Sequence, residues 1–334
     1  MSIGKRHRIT IGIFGSALFG ISVFAWLDFA FRKRSYETAT ETYNGRVQYE
    51  AVNRRFGESI IKDEHNPFTH INDLTVHAER QILPSTDGGS KLTDADIREI
   101  SRFLNVRNLS LAGTQITDAG ISHLAQIKNL EILDLSDTRV GDDGMSALAK
   151  FRNLESLNIQ GTRVSKRGLR QLKAAEKLTW LALSNHTLLK GGINELTEFN
   201  QLEGLIIDAQ YLTDQNIETI ATLTNLTALH LAGNNQITDE GIRPIAKLYN
   251  LKHLLLSQGR YGNRALYHLA GLTKLETLII RAGPGMTDAG VLQLAPLVNL
   301  KRVYIQGPDL TQVTDSDLPL SNLHTSRAFP AGTK

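Results

Sequence analysis

The chain reads as an α/β solenoid of parallel strands and short helices, preceded by one membrane-spanning helix. Three observations predict this. A frame of 24 residues restarts nine times along the body, two different apolar periods alternate inside each frame, and an uncharged run of 19 residues lies near the N-terminus. Composition agrees, because 41% hydrophobic and 21% charged residues in 334 are enough to bury a large core.

The N-terminal run spans Ile9 to Leu27. A helix of that length covers roughly 28 Å, close to the hydrocarbon thickness of a bilayer. Asp28 interrupts it, Phe29-Ala30-Phe31 follows, and Arg32-Lys33-Arg34 closes the stretch at the headgroup level. Trp26 and its neighbouring phenylalanines suit the aromatic belt of an interface. A cleaved secretory signal needs a shorter apolar region and a small-x-small cleavage site, which Val23-Phe24-Ala25-Trp26-Leu27-Asp28 does not offer. Residues 9–31 are therefore expected to form a signal-anchor helix, with 1–8 a short basic segment ahead of it and 32–70 a juxtamembrane stalk. Three Lys/Arg stand on either side, so the positive-inside rule barely discriminates. The short N-terminus favours a body on the extracytoplasmic side. Gly12, Ser16 and Gly20 fall on one stripe of the helix, a pattern that lets two membrane helices approach and form a homodimer. Small residues are common in membrane helices, and that is the weightier explanation of the stripe.

Charge distribution excludes a nucleic-acid partner. The net charge of +3 conceals a strong asymmetry: residues 1–34 hold six basic side chains against Asp28. Removing these from totals of 37 basic and 34 acidic residues leaves 31 against 33 in the remaining 300. The basicity belongs to the flanks of the anchor, and the body has no electrostatic footprint for DNA or RNA. The chain has no cysteine, which removes disulfides, thiolate metal sites and cysteine nucleophiles.

The frame restarts at Leu92, Ile116, Val140, Val164, Leu188, Leu212, Ile237, Tyr261 and Met286, with 24 residues in six of the eight intervals and 25 in two. In the copy from Ile116, Leu130-x-x-Leu133-x-Leu135 ends in strict alternation, the mark of a short strand with one buried face. Ile121, Leu124, Ala125 and Ile127 recur near helical spacing, so a short helix packs back over that strand. Asn129 and Ser136 to Thr138 supply the turns. One unit cannot bury its own apolar face, whereas stacked units bury a continuous core, with strands lining a concave face and helices a convex one.

The frame L-x-x-L-x-L-x-x-T-x-V, as in Leu130 to Val140, resembles the leucine-rich repeat family, with Thr where the family often carries Asn or Cys. The Thr117-Asp118-Ala119-Gly120-Ile121 start is similar to repeats of bacterial leucine-rich-repeat proteins and of the substrate-binding arms of eukaryotic F-box proteins. The resemblance covers about residues 70–320. It implies a leucine-rich-repeat solenoid that recognises protein on its concave side. The expectation of no enzymatic activity and no cofactor rests instead on the residues themselves. His186, Gln210 and Gly259 replace the Thr of Thr114, Thr138 and Thr162, so a hydrogen-bonded threonine ladder is expected only in the first copies.

The ends of such an array need covers. Ile71 to Val76 repeats the strand half alone, and 71–91 is read as an N-terminal cap. Nine repeats fill 92–312. The unit begun at Val313-Thr314-Asp315 breaks at Pro319, which makes 313–334 a C-terminal cap and tail.

Chemical sites are few. Asp94, Asp118, Asp142, Asp214, Asp239, Asp288 and Asp315 recur at one frame position. A carboxylate column could hold Ca²⁺, but Thr-Asp at a helix start is the pattern of a cap, and Lys166, Lys190 and Asn263 interrupt the column. His65, His70 and His77 form a histidine-rich patch without zinc-ligand spacing, so no metal site is assigned. Gly283-Pro284-Gly285 lacks the Gly-Lys-Ser/Thr of a phosphate loop. No nucleophile, base and orienter assemble, which argues against an enzyme.

The concave face is where function is expected. Two columns of outward residues are readable: Ser110, Asp134, Asn158, Ala182, Ile206, His230, Leu255, Ile279, Tyr304, and beside it Asn108, Ile132, Ser156, Trp180, Gly204, Ala228, His253, Thr277, Arg302. The first copies are mostly polar. From Trp180 onward apolar and aromatic groups accumulate, edged by Arg281 and Arg302. Exposed apolar surface with aromatic and arginine edges is the composition of a protein-binding site. The candidate residues for an unidentified protein or peptide partner are Trp180, Ile206, His230, His253, Leu255, Ile279, Arg302 and Tyr304. The alternative is a structural envelope or spacer protein that self-associates through its membrane helix.

Overall fold

The computed structural model describes residues 73–75, 93–101, 107–208, 210–232, 236–257, 259–281, 285–306, 310 and 323–325. The chain divides into two units, Met1–Arg55 and Phe56–Lys334, and all described residues fall in the second. The expected anchor over 9–31, the stripe of Gly12, Ser16 and Gly20, most of the stalk and cap, and the His65, His70, His77 patch lie outside them. Among the described residues no helix is long and apolar enough to cross a membrane.

Strand and helix alternate through the body. In chain order the elements are β1 Asp73–Thr75, α1 Asp94–Ile100, β2 Asn108–Ser110, α2 Asp118–Leu124, β3 Ile132–Asp134, α3 Asp142–Leu148, β4 Ser156–Asn158 and α4 Lys166–Leu172. There follow β5 Trp180–Ser184, α5 Asn185–Leu188 with a 3₁₀ helix over Leu189–Glu198, β6 Gly204–Asp208, α6 Asp214–Ile220, β7 Ala228–Ala232 and a 3₁₀ helix over Arg243–Lys247. The last are β8 His253–Leu256, α7 Asn263–Leu269, β9 Thr277–Arg281, α8 Asp288–Val291 with a 3₁₀ turn over Leu292–Leu294, β10 Arg302–Gln306 and β11 Leu323–Thr325. Among the described residues the strands form one sheet of 11, paired in strict sequence order, and every pairing is parallel. Strands β2 to β10 fall one to each frame. β1 extends the sheet where the strand half of the N-terminal cap is expected, and β11 adds a further strand beyond the last repeat.

The apolar frame positions make the core. Ile116, Ile121, Leu124, Ile127, Leu130, Leu133 and Leu135 are all buried, as are their counterparts in later copies. Each buried leucine or isoleucine stabilises the fold by about 1.5–3 kcal/mol relative to an exposed one. Because strand and helix of one repeat contact only their neighbours, this core is continuous but one-dimensional.

Between repeats the joints are made by side chains one frame apart. The Thr117 N–H donates to Asp94 Oδ1 (2.8 Å) and the Thr117 hydroxyl to Asp94 Oδ2. Asp118 accepts from the Gly141 N–H (2.6 Å), and Asp142 from the Ser165 N–H, the Ser165 hydroxyl and the Gly168 N–H. Asp214 accepts from Thr238, and Asp239 from the Gly262 N–H. The Thr-Asp start thus divides the expected capping: Thr117 and Ser165 cap their own helices, accepting from the N–H groups of Ala119 and Arg167, while the aspartate bonds onward. Each carboxylate instead reaches the residue that opens the next repeat's helix. Nor does Asn263 interrupt the column, because its amide oxygen accepts from the Thr287 N–H (2.8 Å) and its nitrogen donates to the Thr287 hydroxyl. These oxygens are committed to N–H and O–H donors, and among the described residues no group of acidic or histidine side chains converges on a common centre.

The glycine of the Thr-Asp-x-Gly start follows from this joint. A Cβ on Gly120 would lie 2.5 Å from Asp94 Oδ1, and one on Gly144 or Gly168 2.7 Å from the oxygen of Asp118 or Asp142. Gly241 and Gly290 would press on Asp214 and Asn263 in the same way. At these five positions a side chain would press on the bonded acceptor; of the repeats joined this way, only the one under Asp239 carries a Cβ there, on Ala265.

The threonines behave differently from the expected ladder. Thr114, Thr138 and Thr162 donate within their own repeats, to the carbonyls of Leu111, Leu135 and Ile159. These bonds close a tight turn in which Gly113, Asp137 and Gly161 have positive φ, and β2 to β4 stop after three residues. From β5 the threonine is gone, and β5, β6, β7, β9 and β10 run for five residues. A second inter-repeat ladder runs along the turns before the strands. There the amides of Asn153, Asn225, Asn250 and Asn299 donate to carbonyls of Lys128, Asn200, Thr224 and Thr273.

Candidate functional site

The parallel register sets the outward side chains of the strands in straight columns. Asn108, Ile132, Ser156, Trp180, Gly204, Ala228, His253, Thr277 and Arg302 are successive partners. So are Ser110, Asp134, Asn158, Ala182, Ile206, His230, Leu255, Ile279 and Tyr304. Both columns match the sequence reading position for position. The longer strands add a third, Ser184, Asp208 and Ala232, and later Arg281 beside Gln306.

In the first repeats the polar side chains of the central column serve the fold. Asp134 Oδ1 accepts from the Ser136 N–H (2.9 Å) and Asn158 Oδ1 from the Gln160 N–H (3.0 Å), so both fold back on their own backbone. The candidate residues lie beyond them. Trp180, His253, Leu255, Ile279 and Tyr304 are half-buried and Arg302 is exposed. Ile206 and His230 are not surface groups: they are 2% and 0% exposed. The two sit mid-sheet, with Ala182 and Leu255 as their outer neighbours in the column.

Trp180 is held in place by its neighbour. A Cβ on Gly204 would fall inside the Trp180 indole, so the ring lies across the adjacent strand over the space that glycine leaves. A flat aromatic surface is thereby fixed on the strand-lined face. A glycine beside a tryptophan in one column is the sequence signal for this contact.

Electrostatics on the face are set by burial. His230 is pushed down to about 4 by desolvation, so its imidazole is neutral at physiological pH. Burial raises the Asp208 carboxyl and lowers the Arg281 guanidinium, against which Tyr304 acts in the opposite direction. At the strand entrances, the Glu276 carboxyl is held down by a hydrogen bond from Lys301 (2.6 Å). Beneath the face, burial pushes the Tyr261 phenol upward. Tyr261 fills a core position that aliphatic residues or methionine occupy in the other repeats, and its ring takes the space where a side chain on Gly259 would stand. The loss of threonine at Gly259 is therefore paired with the larger residue two positions on.

Other large apolar groups are exposed away from the strands. Among the described residues they are Tyr211 before α6, Tyr267 on α7 (67% exposed), Leu292 in the turn after α8, and Tyr249 and Val298 in turns preceding β8 and β10.

A profile of the family described as Leucine Rich repeat matches residues 126–149 and 222–246, each one frame in length. No curated protein sequence matches the chain. Among solved structures, an internalin (inlF) of Listeria monocytogenes aligns over 72% of this chain and 72% of its own, at 20% identity and a TM-score of 0.50. An internalin C2 (inlC2) of the same organism aligns over 71% of this chain and 84% of its own, at 24% identity and a TM-score of 0.40. The first of these similarities concerns the fold alone. The in-order parallel sheet, the buried leucine frame and the two matched repeats together give this chain a leucine-rich-repeat solenoid fold.

Proposed function

We propose that this protein is a membrane-anchored recognition or scaffold module of a bacterial envelope, binding a protein or peptide on the C-terminal half of its strand-lined face. One observation carries the reading. Half-buried Trp180, Leu255, Ile279 and Tyr304 and exposed Arg302 all belong to the two outward columns between β5 and β10. Aromatic and arginine anchors around apolar groups are what interface hot spots are made of. Ile206 and His230 share the outward column with Leu255 but are buried. His253 lies between Ala228 and Thr277 in the neighbouring column.

The anchor over 9–31 holds the module at the membrane in this reading, with the body on the extracytoplasmic side. The test is substitution of the face. Leu255→Ala with Tyr304→Ala should weaken partner binding at least tenfold and leave the circular dichroism spectrum unchanged. Binding that stays within twofold of wild type would remove the site assignment. The stripe of Gly12, Ser16 and Gly20 supports a second reading, a spacer that self-associates through its membrane helix. Detergent-resistant dimers abolished by Gly12→Leu, with an inert strand face, would favour it.

A further inference from the structure

We infer that the solenoid is two cooperative blocks, residues 92–187 and 212–312, meeting at a joint made by the repeat 188–211. The observation is how the residue that opens each helix satisfies its N–H. In the middle of a block the previous repeat supplies the acceptor: Asp94 for Thr117, Asp118 for Gly141, Asp142 for Ser165, Asp214 for Thr238, Asp239 for Gly262 and Asn263 for Thr287.

Thr93 stands in the first repeat of the array, with no full repeat before it. Its N–H and hydroxyl both turn to Asp96, three residues on (2.7 Å each). Thr213 does the same in the middle of the molecule, bonding Asn216 Oδ1 through its N–H (2.9 Å) and hydroxyl (3.1 Å). Its helix carries the same reciprocal cap as the first helix. The third helical residue follows suit. It is glycine at positions 120, 144, 168, 241 and 290 and alanine at 265, beneath an acceptor from the preceding repeat. It is Asp96 and Asn216 where the helix caps itself. The repeat that begins at Leu212 is thus built as the first repeat of an array.

The repeat before it has the matching peculiarities. Lys166 of the repeat before it and its own Lys190 hold the acceptor positions for its two junctions, and neither can accept a hydrogen bond. Its helical half is a short α5 turn followed by ten residues of 3₁₀ helix, a geometry poorer in hydrogen bonding than the seven-residue α-helices of its neighbours. Besides the apolar core, which continues across it, the joint is spanned on this side by two ion pairs whose basic partners are open to solvent, Arg170 with Glu195 (2.7 Å) and Lys173 with Glu198 (3.6 Å). Such pairs are weak and screened by salt. The strand ladder itself continues, because β5 and β6 pair over five residues. The blocks are therefore attached but not locked. In a one-dimensional array the weakest nearest-neighbour interface decides where cooperativity breaks.

Hydrogen exchange of the full chain in detergent micelles, followed by mass spectrometry across a urea series, tests this. Peptides from 107–187 should share one midpoint and slope, and peptides from 212–305 another, with the change falling inside 188–211. A single midpoint for both, or a boundary elsewhere, overturns the inference. A second measurement uses Lys190→Asp combined with Asn216→Gly, which restores the acceptor and the glycine across the joint. The gap between midpoints should close by at least half. An unchanged gap in a folded variant contradicts the assignment of the break to the missing acceptor. Should the variant not fold, the wild-type boundary alone decides.

Discussion

At the residue scale, the frame-spaced carboxylates and glycines act as paired parts. Asp118 accepts the N–H that opens the next helix, and Gly144 leaves room for it. Gly144→Ala should cost about 1–3 kcal/mol, the usual penalty of forcing a methyl into filled space. Asp118→Ala, which strands the half-buried Gly141 N–H, should cost about 1–2 kcal/mol. Asp118→Asn should cost much less, since Asn263 performs the same task with an amide. Urea midpoints of the three variants check the order, and equal losses for Asn and Ala would contradict it. Tyr261 makes a different pair with Gly259. Its buried hydroxyl has no hydrogen-bond partner among the described residues, so Tyr261→Phe should be neutral or stabilising, whereas Gly259→Ala should destabilise by about 1–3 kcal/mol.

His230 makes stability depend on pH. Its pKa falls from 6.5 in the unfolded chain to about 4 in the fold. Between those values the unfolded chain binds a proton that the folded one does not, so stability is lost as pH drops from 6.5 toward 4. At about 1.4 kcal/mol per pH unit the loss amounts to roughly 3 kcal/mol. His230→Leu should remove that part of the slope. Thermal unfolding of both proteins at pH 7 and pH 5 measures it, and parallel losses would show that His230 is protonated while folded.

At the scale of elements, strand length changes where the threonine ends. Thr138 ties its hydroxyl to the Leu135 carbonyl and closes a turn, and β3 stops at Asp134. Thr138→Val should cost about 1 kcal/mol by leaving that carbonyl one bond short. The helices and strands themselves were legible in the sequence, because Leu130, Leu133 and Leu135 alternate at one period and Ile121 and Leu124 recur at another. The hydrogen bonds were not. A repeat shows that Asp118 recurs, but not that its partner is Gly141 in the next copy, since a frame-spaced column looks the same whether its members bond inward or onward. The glycines at 120, 144 and 168 carried that information, as a column of residues with no side chain beneath a column of acids. The 3₁₀ helix over Leu189–Glu198 was foreshadowed only by Lys190 and the double glycine at 191–192.

At the scale of the whole molecule, the sequence reading placed the two outward columns correctly because parallel, in-order pairing leaves one register. It overestimated exposure. Ile206 and His230 point to the same face as Leu255 but are buried, and alternation along a strand reports a side chain's direction without reporting what stands beside it. Trp180 over Gly204 is the reverse case, a contact between two residues of one column that the pattern shows only as large beside small. The anchor expected over 9–31 and the extracytoplasmic position of the body predict that a compartment-sensitive reporter fused after Lys334 is active outside the cytoplasm. Cytoplasmic activity would instead make the solenoid a scaffold on the inner membrane surface.

The central claim is that the C-terminal half of the strand-lined face meets a protein partner, and site-specific photo-crosslinking in the native cell tests it most directly. A photoreactive residue at Leu255, Ile279 or Tyr304 should give one common adduct. The same probe at Asn108 or Ser110 on the early strands, or at Ser146 on the helix side, should give none. Adducts from the helix side alone, or equal adducts from every position, would contradict the account.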